Sequence, residues 1–271
     1  MYLLKKYLKS LFNKYTSVCW NIGFIDFNNP EEILQKDELN IRWMQHKYKD
    51  RWFADPFILR ISEQEIVLLV EEFYYPIKRG RIAKLTIDRK SLMLKTSDIV
   101  LELDTHLSFP VIFRNEDDIY IYPESSVVGN LVLYKYDERE NIVKQISTLN
   151  NEPLTDAIIT TSFDKSYLFS TKLPTQNKDI LNIYSAKSWN SPYELDHTVY
   201  FNDNTARNAG ELFQIDSKWI RPAQDCNTDY GKGLVFQEVK FVNSRIFIYR
   251  IKTVLSSFKK MEHRNAHIQH F

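Results

Sequence analysis

A strand pair that recurs four times constrains this chain more than any other feature. The first copy is Trp52-Phe53-Ala54-Asp55-Pro56-Phe57-Ile58-Leu59-Arg60, a polar break over 61–65, then Ile66-Val67-Leu68-Leu69-Val70-Glu71-Glu72. An apolar run, a turn and a second apolar run predict a β-hairpin. The second copy covers 108–114 and 119–125, the third 155–161 and 166–171, the fourth 208–214 and 218–224. Pro56, Pro110, Ala157 and Gly210 align, in steps of 54, 47 and 53 residues. A period near fifty predicts propeller blades of four strands each. Further apolar runs supply the missing strands: 81–88 with 99–103, 131–137 with 146–149, 180–186 with 198–201, and 234–241 with 246–251. A β-sandwich is the alternative, but matched start and end residues in four copies argue against it.

The ends of the chain predict a fifth blade. Residues 266–271 read as an innermost strand, with partners drawn from 18–24 and 41–44. A ring closed by both termini leaves no sheet edge exposed. The expected fold is therefore an all-β five-bladed propeller over residues 19–271, closed by both termini and preceded by a short amphipathic helix over 1–18. In that segment apolar residues at 3, 4, 7, 8, 11, 12 and 15 keep helical period, Lys5, Lys6, Lys9 and Lys14 accompany them, and the first acid is Asp26. Two readings stay open. A basic amphipathic helix can lie on an anionic membrane surface, or it can pack on the propeller wall with its lysines in water.

A net charge of +1 over 271 residues creates no field to recruit nucleic acid. Two cysteines, Cys19 and Cys226, make no disulfide framework and are expected to be reduced thiols. No secretory segment or membrane span is evident. Location is accordingly expected to be cytoplasmic, with peripheral membrane contact through residues 1–15 as the variant. Walker loops, Gly-x-Gly-x-x-Gly, His-Glu-x-x-His and Cys-x-x-Cys are missing, and His263, His267 and His270 lack carboxylates at metal-ligand spacing. Neither cofactor nor metal is expected.

The acids follow the repeat. In an antiparallel pair the start of one strand lies beside the end of the next, so Asp55 meets Glu71 and Glu72 at one end of the hairpin. The same register puts Asp55, Ser108, Phe109, Asp156, Ala209 and His267 around one mouth of the axis, flanked by His106, Glu72, Glu124, Arg207, Arg221, Gln224 and Asp225. Carboxylates mixed with arginine and histidine suit glycoside chemistry. One carboxylate stabilises or attacks the sugar, or activates water, while a protonated group serves the leaving oxygen. Neighbouring acids raise each other's pKa, and arginines grip anionic sugars or phosphates. Pro56 is expected to hold Asp55 extended, fixing a charge that suits the cationic transition state. Trp52, Phe53, Phe73, Tyr74, Tyr122 and Tyr230 are either stacking platforms for sugar rings or blade-to-blade packing. The competing structural reading is that Asp before Pro merely starts a strand and that Arg–Asp pairs brace blades.

Ala54-Asp55-Pro56-Phe57, His106-Leu107-Ser108-Phe109-Pro110, Tyr122-Pro123-Glu124-Ser125, Arg207-Asn208-Ala209-Gly210, Arg221-Pro222-Ala223-Gln224-Asp225 and Tyr230-Gly231 occur in this order. Together they resemble the propeller domain at the N-terminus of plant glucosamine inositolphosphorylceramide transferases and its stand-alone bacterial relatives. That domain is related to the five-bladed arabinanase, levansucrase and invertase superfamily. The resemblance implies Asp55 as base or nucleophile and Asp156 as an orienting or pKa-tuning acid. It implies Glu124 or His267 as the proton donor, and the choice stays open. Sugar contacts are expected from Glu72, His106, Arg207, Arg221, Gln224 and Asp225. The expected function is hydrolysis or transglycosylation at a glycosidic linkage in surface-glycan biosynthesis. A glycan or sugar conjugate is the ligand, and a glycosyltransferase a further partner. The alternative is a non-catalytic sugar-binding or scaffold module, in which Arg207 and Arg221 would lock the acids in ion pairs.

Overall fold

The structure, a computed structural model, describes residues 19–27, 29–35, 40–228, 230 and 233–255. The described chain opens with β1 (Gly23–Ile25), α1 (Glu32–Gln35) and β2 (Ile41–Trp43). Four runs of four strands follow. The first blade is β3 (Arg51–Ile61), β4 (Glu65–Tyr74), β5 (Arg79–Asp88) and β6 (Leu94–Leu101). The second is β7 (Ser108–Asn115), β8 (Asp118–Glu124), β9 (Leu131–Asp137) and β10 (Ile142–Asn150). The third is β11 (Leu154–Thr160), β12 (Ser166–Lys172), β13 (Ile180–Ala186) and β14 (Glu194–Tyr200). The fourth is β15 (Phe213–Ile215), β16 (Lys218–Gln224), β17 (Gly233–Val242) and β18 (Arg245–Leu255). Each sheet pairs its strands antiparallel in sequence order. The chain is an all-β propeller.

Burial explains the strand sequences. Every residue of β11 is buried, because an inner strand is covered on both faces by its neighbouring blades. Such strands read as continuous apolar runs. The outer strand β14 has no buried residue and carries Glu194, Asp196 and His197.

Four four-stranded blades stand among the described residues, where five were expected. The place beside the first and fourth blades is taken by the two-stranded ribbon β1–β2. Between residues 19 and 50 there are only two short apolar alternations, 22–25 and 41–44, enough for one strand pair. The ribbon nonetheless joins the ring. Ile22 and Met44 pack with Phe53, Val70 and Leu85 of the first blade, while Ile25, Ile41 and Trp43 pack on Ala209 and Leu234 at the fourth. α1 sets Ile33 against Ile215, Ile220 and Phe236. The expected inner strand over 266–271, with His267, and the helix expected over 1–18 lie outside the described residues. The four residues of α1 are the one helix among those described.

A second correction concerns the inner strands. Asp55, Phe109 and Asp156 occupy equivalent places and share a left-handed backbone, with φ of 50°, 47° and 47°. At each the pairing register slips, between Ala54 and Phe57, Ser108 and Val111, and Thr155 and Ile158. These are β-bulges, so Asp55 is not held extended. The bulge outweighs the extended preference of a residue before proline, and Pro56 and Pro110 sit where the ladder needs no N–H. Bulges re-aim side chains, and three in register aim three successive blades at one end of the axis.

Candidate functional site

The site grows from these bulges. Ala54 pairs with Glu71 and Ser108 with Glu124, so Glu71 and Glu124 hold equivalent positions at the ends of β4 and β8. Asp55 Oδ2 accepts the backbone N–H of Phe109 at 3.1 Å. One blade on, Glu124 Oε2 accepts the N–H of Asp156 at 2.9 Å. Each acid thus caps the bulge amide of the next blade. Because Glu124 pairs with Ser108, Asp55 and Glu124 flank the same Ser108–Phe109 step.

Glu124 is also bonded through Oε1 by the Ser126 hydroxyl at 2.8 Å. Withdrawal from water, then the nearby Asp156 charge, push its pKa up to about 8, with Arg207 acting in the opposite direction. A carboxyl of this kind holds a proton at neutrality.

Asp156 is buried and fully engaged. Arg207 donates to it through Nε at 2.5 Å and Nη2 at 3.3 Å, and Gln224 Nε2 donates at 2.9 Å. Arg207 is itself fixed by Asn177 at 2.8 Å and lies 4.9 Å from the centre of the Tyr230 ring. Tyr230 as a residue is 44% exposed, yet its hydroxyl is raised well above the usual range by desolvation and by the charges of Asp55, Asp156 and Glu71, with Arg207 opposing. Tyr230 therefore joins the Asp55–Glu71 side of the cluster to the Asp156–Arg207 side.

His106 belongs to the first side. Its Nδ1 accepts the Gly80 N–H at 2.9 Å and its Nε2 stands 3.1 Å from Glu71 Oε1. With Nδ1 accepting, the proton of the neutral ring lies on Nε2 and points at Glu71. Burial would lower the pKa of His106, but the hydrogen bond and charge of Glu71, with the charge of Asp55, raise it overall. Only glycine fits at position 80. A Cβ there would lie 2.4 Å from the Leu107 carbonyl oxygen, 2.6 Å from Glu71 Oε1 and 2.8 Å from His106 Cε1.

The structure thus gathers Asp55, Glu124, Asp156, Arg207, Gln224 and His106 at one end of the axis. Others go elsewhere. Glu72 is completely buried in the wall of the first blade, held by Arg51 at 3.1 Å, Arg81 at 2.7 Å and Ser97 at 2.9 Å. Neighbours on a strand point to opposite faces, so when Glu71 faces His106 its neighbour cannot. Arg221 is also fully buried, donating to Asn208 Oδ1 at 2.8 Å, Gln237 Oε1 and the Ala206 carbonyl, and among the described residues it meets no carboxylate. It braces Asn208, whose Nδ2 holds the Asp156 carbonyl at 2.7 Å and the Phe169 carbonyl at 2.9 Å. Asp225 turns into its own loop and accepts the Asn227 N–H at 3.0 Å. His267 lies outside the described residues.

The aromatic residues divide likewise. Phe53 and Tyr122 are buried, and the Tyr122 hydroxyl accepts the Ile159 N–H at 3.0 Å, a brace between blades. Tyr74 packs beneath Arg51 and Arg81, and Trp52 stacks on Phe73 at 4.8 Å. Glu71 is the site residue that sequence reasoning passed over in favour of Glu72. The pairing register decides between the two, since it sets Ala54 opposite Glu71 as it sets Ser108 opposite Glu124.

Residues 41–269 match the family described as glucosamine inositolphosphorylceramide transferase 1, N-terminal. Glucosamine inositolphosphorylceramide transferase 1 of Oryza sativa subsp. japonica is 26% identical over 200 residues, 71% of this chain and 27% of that protein. The Arabidopsis thaliana protein of the same name is 26% identical over 201 residues, 71% of this chain and 26% of its own length. The chain spans about a quarter of these relatives. Among solved structures, an exo-beta-1,3-galactanase from Phanerochaete chrysosporium with beta-1,3-galactotriose is similar at a TM-score of 0.60 and 14% identity, over 78% of this chain and 53% of that one. A family 117 glycoside hydrolase from Zobellia galactanivorans gives 0.59 and 9%, over 88% and 77%. At these identities the likeness is one of fold.

Proposed function

Because the chain belongs to the glucosamine inositolphosphorylceramide transferase 1 N-terminal family, we propose that its axial cluster binds a glycan or sugar conjugate and acts on a glycosidic linkage. The observation that carries this reading is the pair of acids flanking the Ser108–Phe109 step. Glu124 is biased towards its protonated form, and Asp55 caps a bulge amide beside it. In the proposed reaction Glu124 protonates the leaving oxygen, and Asp55 stabilises or attacks the sugar or activates water. Burial, with the charge of Asp156 beside it, keeps the proton on Glu124 against the opposing charge of Arg207. Surface-glycan assembly is the proposed setting.

One observation favours a second reading, a sugar-binding module serving a glycosyltransferase. Asp156 is locked by Arg207 and Gln224, the pattern expected of a binding site, although Arg221 locks no acid. The two readings separate on Asp55→Asn and Glu124→Gln, which keep shape and remove an ionisable group. Binding is measured on a glycan array, and sugar release is measured from the glycans that bind. For an enzyme, each variant retains binding and loses turnover by roughly 100-fold or more. Turnover by the parent falls as pH rises through about 8, where Glu124 gives up its proton. A parent that binds without turnover supports the module. Variants that bind and turn over like the parent remove the acids from the mechanism.

A further inference from the structure

We infer that Arg221, buried behind the axial cluster, is a positioning residue for the acid pair: through Asn208 it holds the bulge at Asp156, and so keeps the Asp156 amide on Glu124. This deepens the reading of Glu124 as the proton donor and rests on it. The left-handed backbone at Asp156, with φ of 47°, is unfavourable for a residue that carries a Cβ. Such a conformation persists where the surroundings fix it from several sides. Every polar group of Asp156 is engaged. Its N–H donates to Glu124 Oε2 at 2.9 Å, and its carboxylate receives Arg207 and Gln224. Its carbonyl receives Asn208 Nδ2 at 2.7 Å. Arg207, Asn208 and Gln224 come from the run into the fourth blade and from β16, where the inner strand is interrupted. Asn208 meets Ala223 there only through an isolated bridge, and β15 begins at Phe213.

The hold of Asn208 depends on Arg221. An asparagine amide can present either end to a neighbour, and a guanidinium has donors only. Arg221 Nε, 2.8 Å from Oδ1, therefore claims the oxygen and turns Nδ2 towards the Asp156 and Phe169 carbonyls. The other guanidinium nitrogens are spent on Gln237 Oε1 and the Ala206 carbonyl, and Gln237 Nε2 is anchored on the Thr205 carbonyl at 3.2 Å. Burying a cation that meets no carboxylate among the described residues costs stability, so the position is not one that packing alone would fill with arginine. A lysine, with one point of donation in place of a planar fork, cannot span the three acceptors. Without the guanidinium, Asn208 Oδ1 is left in a closed site with no donor, a loss that rotation of the amide relieves. The Asp156 carbonyl then loses its own donor, the left-handed turn is released, and the N–H leaves Glu124. Arg207 and Gln224 still grip the carboxylate, so the amide is the part that moves.

The test is a carbon-13 NMR titration of the glutamate carboxyls in the full chain, with the Glu124 signal identified by its loss in Glu124→Gln. In the parent its midpoint is expected at about 8, and the Asp156 amide proton should shift with the same midpoint. An N–H aimed at a carboxylate favours the charged form, so losing it carries the midpoint upward. Arg221→Lys and Asn208→Ala should each raise it by about half a pH unit or more. Gln237→Met takes a different partner from Arg221 and leaves Nε on Asn208. It should lower the melting temperature and leave the midpoint in place, which separates positioning from lost stability. A midpoint unmoved in Arg221→Lys and Asn208→Ala overturns the inference, as does one moved equally by Gln237→Met. A midpoint that falls means that the Asp156 carboxylate has swung away in place of its amide, and it overturns the inference too. If neither variant folds, the parent decides. An Asp156 amide that ignores the Glu124 midpoint overturns the inference, and one that follows it, beside an Asn208 side-chain amide protected from exchange, supports it. None of these readings needs turnover. A parent that binds sugar without releasing it therefore counts against the catalytic reading, and an unmoved midpoint counts against the role of Arg221.

Discussion

Glu72 and Glu124 lie near the ends of second strands in successive blades, and their surroundings give them opposite properties. Glu72 meets two guanidinium groups and a hydroxyl, so its charge is neutralised where it is buried. Glu124 is withdrawn from water beside a second acid, and these outweigh Arg207 and the Asp156 backbone amide, which favour the charge, so the protonated form is favoured. This has a consequence for stability. In the unfolded chain Glu124 titrates near its ordinary 4.5, and in the folded protein near about 8. Between those values the folded state holds a proton that the unfolded state has lost, so stability falls as pH rises through this window and levels above it. Glu124→Gln should flatten that slope, seen as smaller differences between melting temperatures at pH 5 and pH 8. An unchanged slope would show that another group carries it.

At the scale of elements, the bulge unites fold and site. A regular inner strand would alternate its side chains between two neighbouring blades. One extra residue at Asp55, Phe109 and Asp156 breaks that alternation at the same height in three blades. The acids of one blade then reach the amides of the next. The short helix α1 serves as a plug, with Ile33 buried against Ile215, Ile220 and Phe236. Ile33→Ala removes most of that plug and should cost about 2–4 kcal/mol in chemical denaturation. A loss below about 0.5 kcal/mol would mean that the fourth blade does not depend on α1 for cover.

For the molecule as a whole, the ring is a cycle of apolar interfaces. One cluster runs through the first three blades, another joins third to fourth, and the ribbon bridges fourth to first. The ribbon is the thinnest member of that cycle. Trp43→Ala should therefore raise amide exchange in both flanking sheets, β3–β6 and β15–β18, more than in β7–β14. Exchange raised in only one flanking sheet would place the closing contact elsewhere.

Much of this was legible along the chain. The fifty-residue period, the strand pairs and the aligned acids follow from local pattern, because inner strands buried on both faces write themselves as unbroken apolar runs. The fourth hairpin was legible only in part, since Asn208 meets Ala223 through an isolated bridge and β15 keeps three residues. Which acid faces the axis was not legible without the pairing register, because a shift of one position exchanges Glu71 for Glu72. Arg221 looked like a ligand contact, and packing made it a brace for Asn208. The sequence by itself determined the propeller class and the end of the axis at which the chemistry gathers, since both are properties of strand order and period. Tertiary structure alone decided the left-handed turn at Asp55, the partners of each carboxyl and, among the described residues, a ribbon beside four full blades. Those depend on contacts between residues some fifty positions apart or at opposite ends of the described chain, such as Asp55 with Phe109 and Ile25 with Leu234, and no local pattern records them.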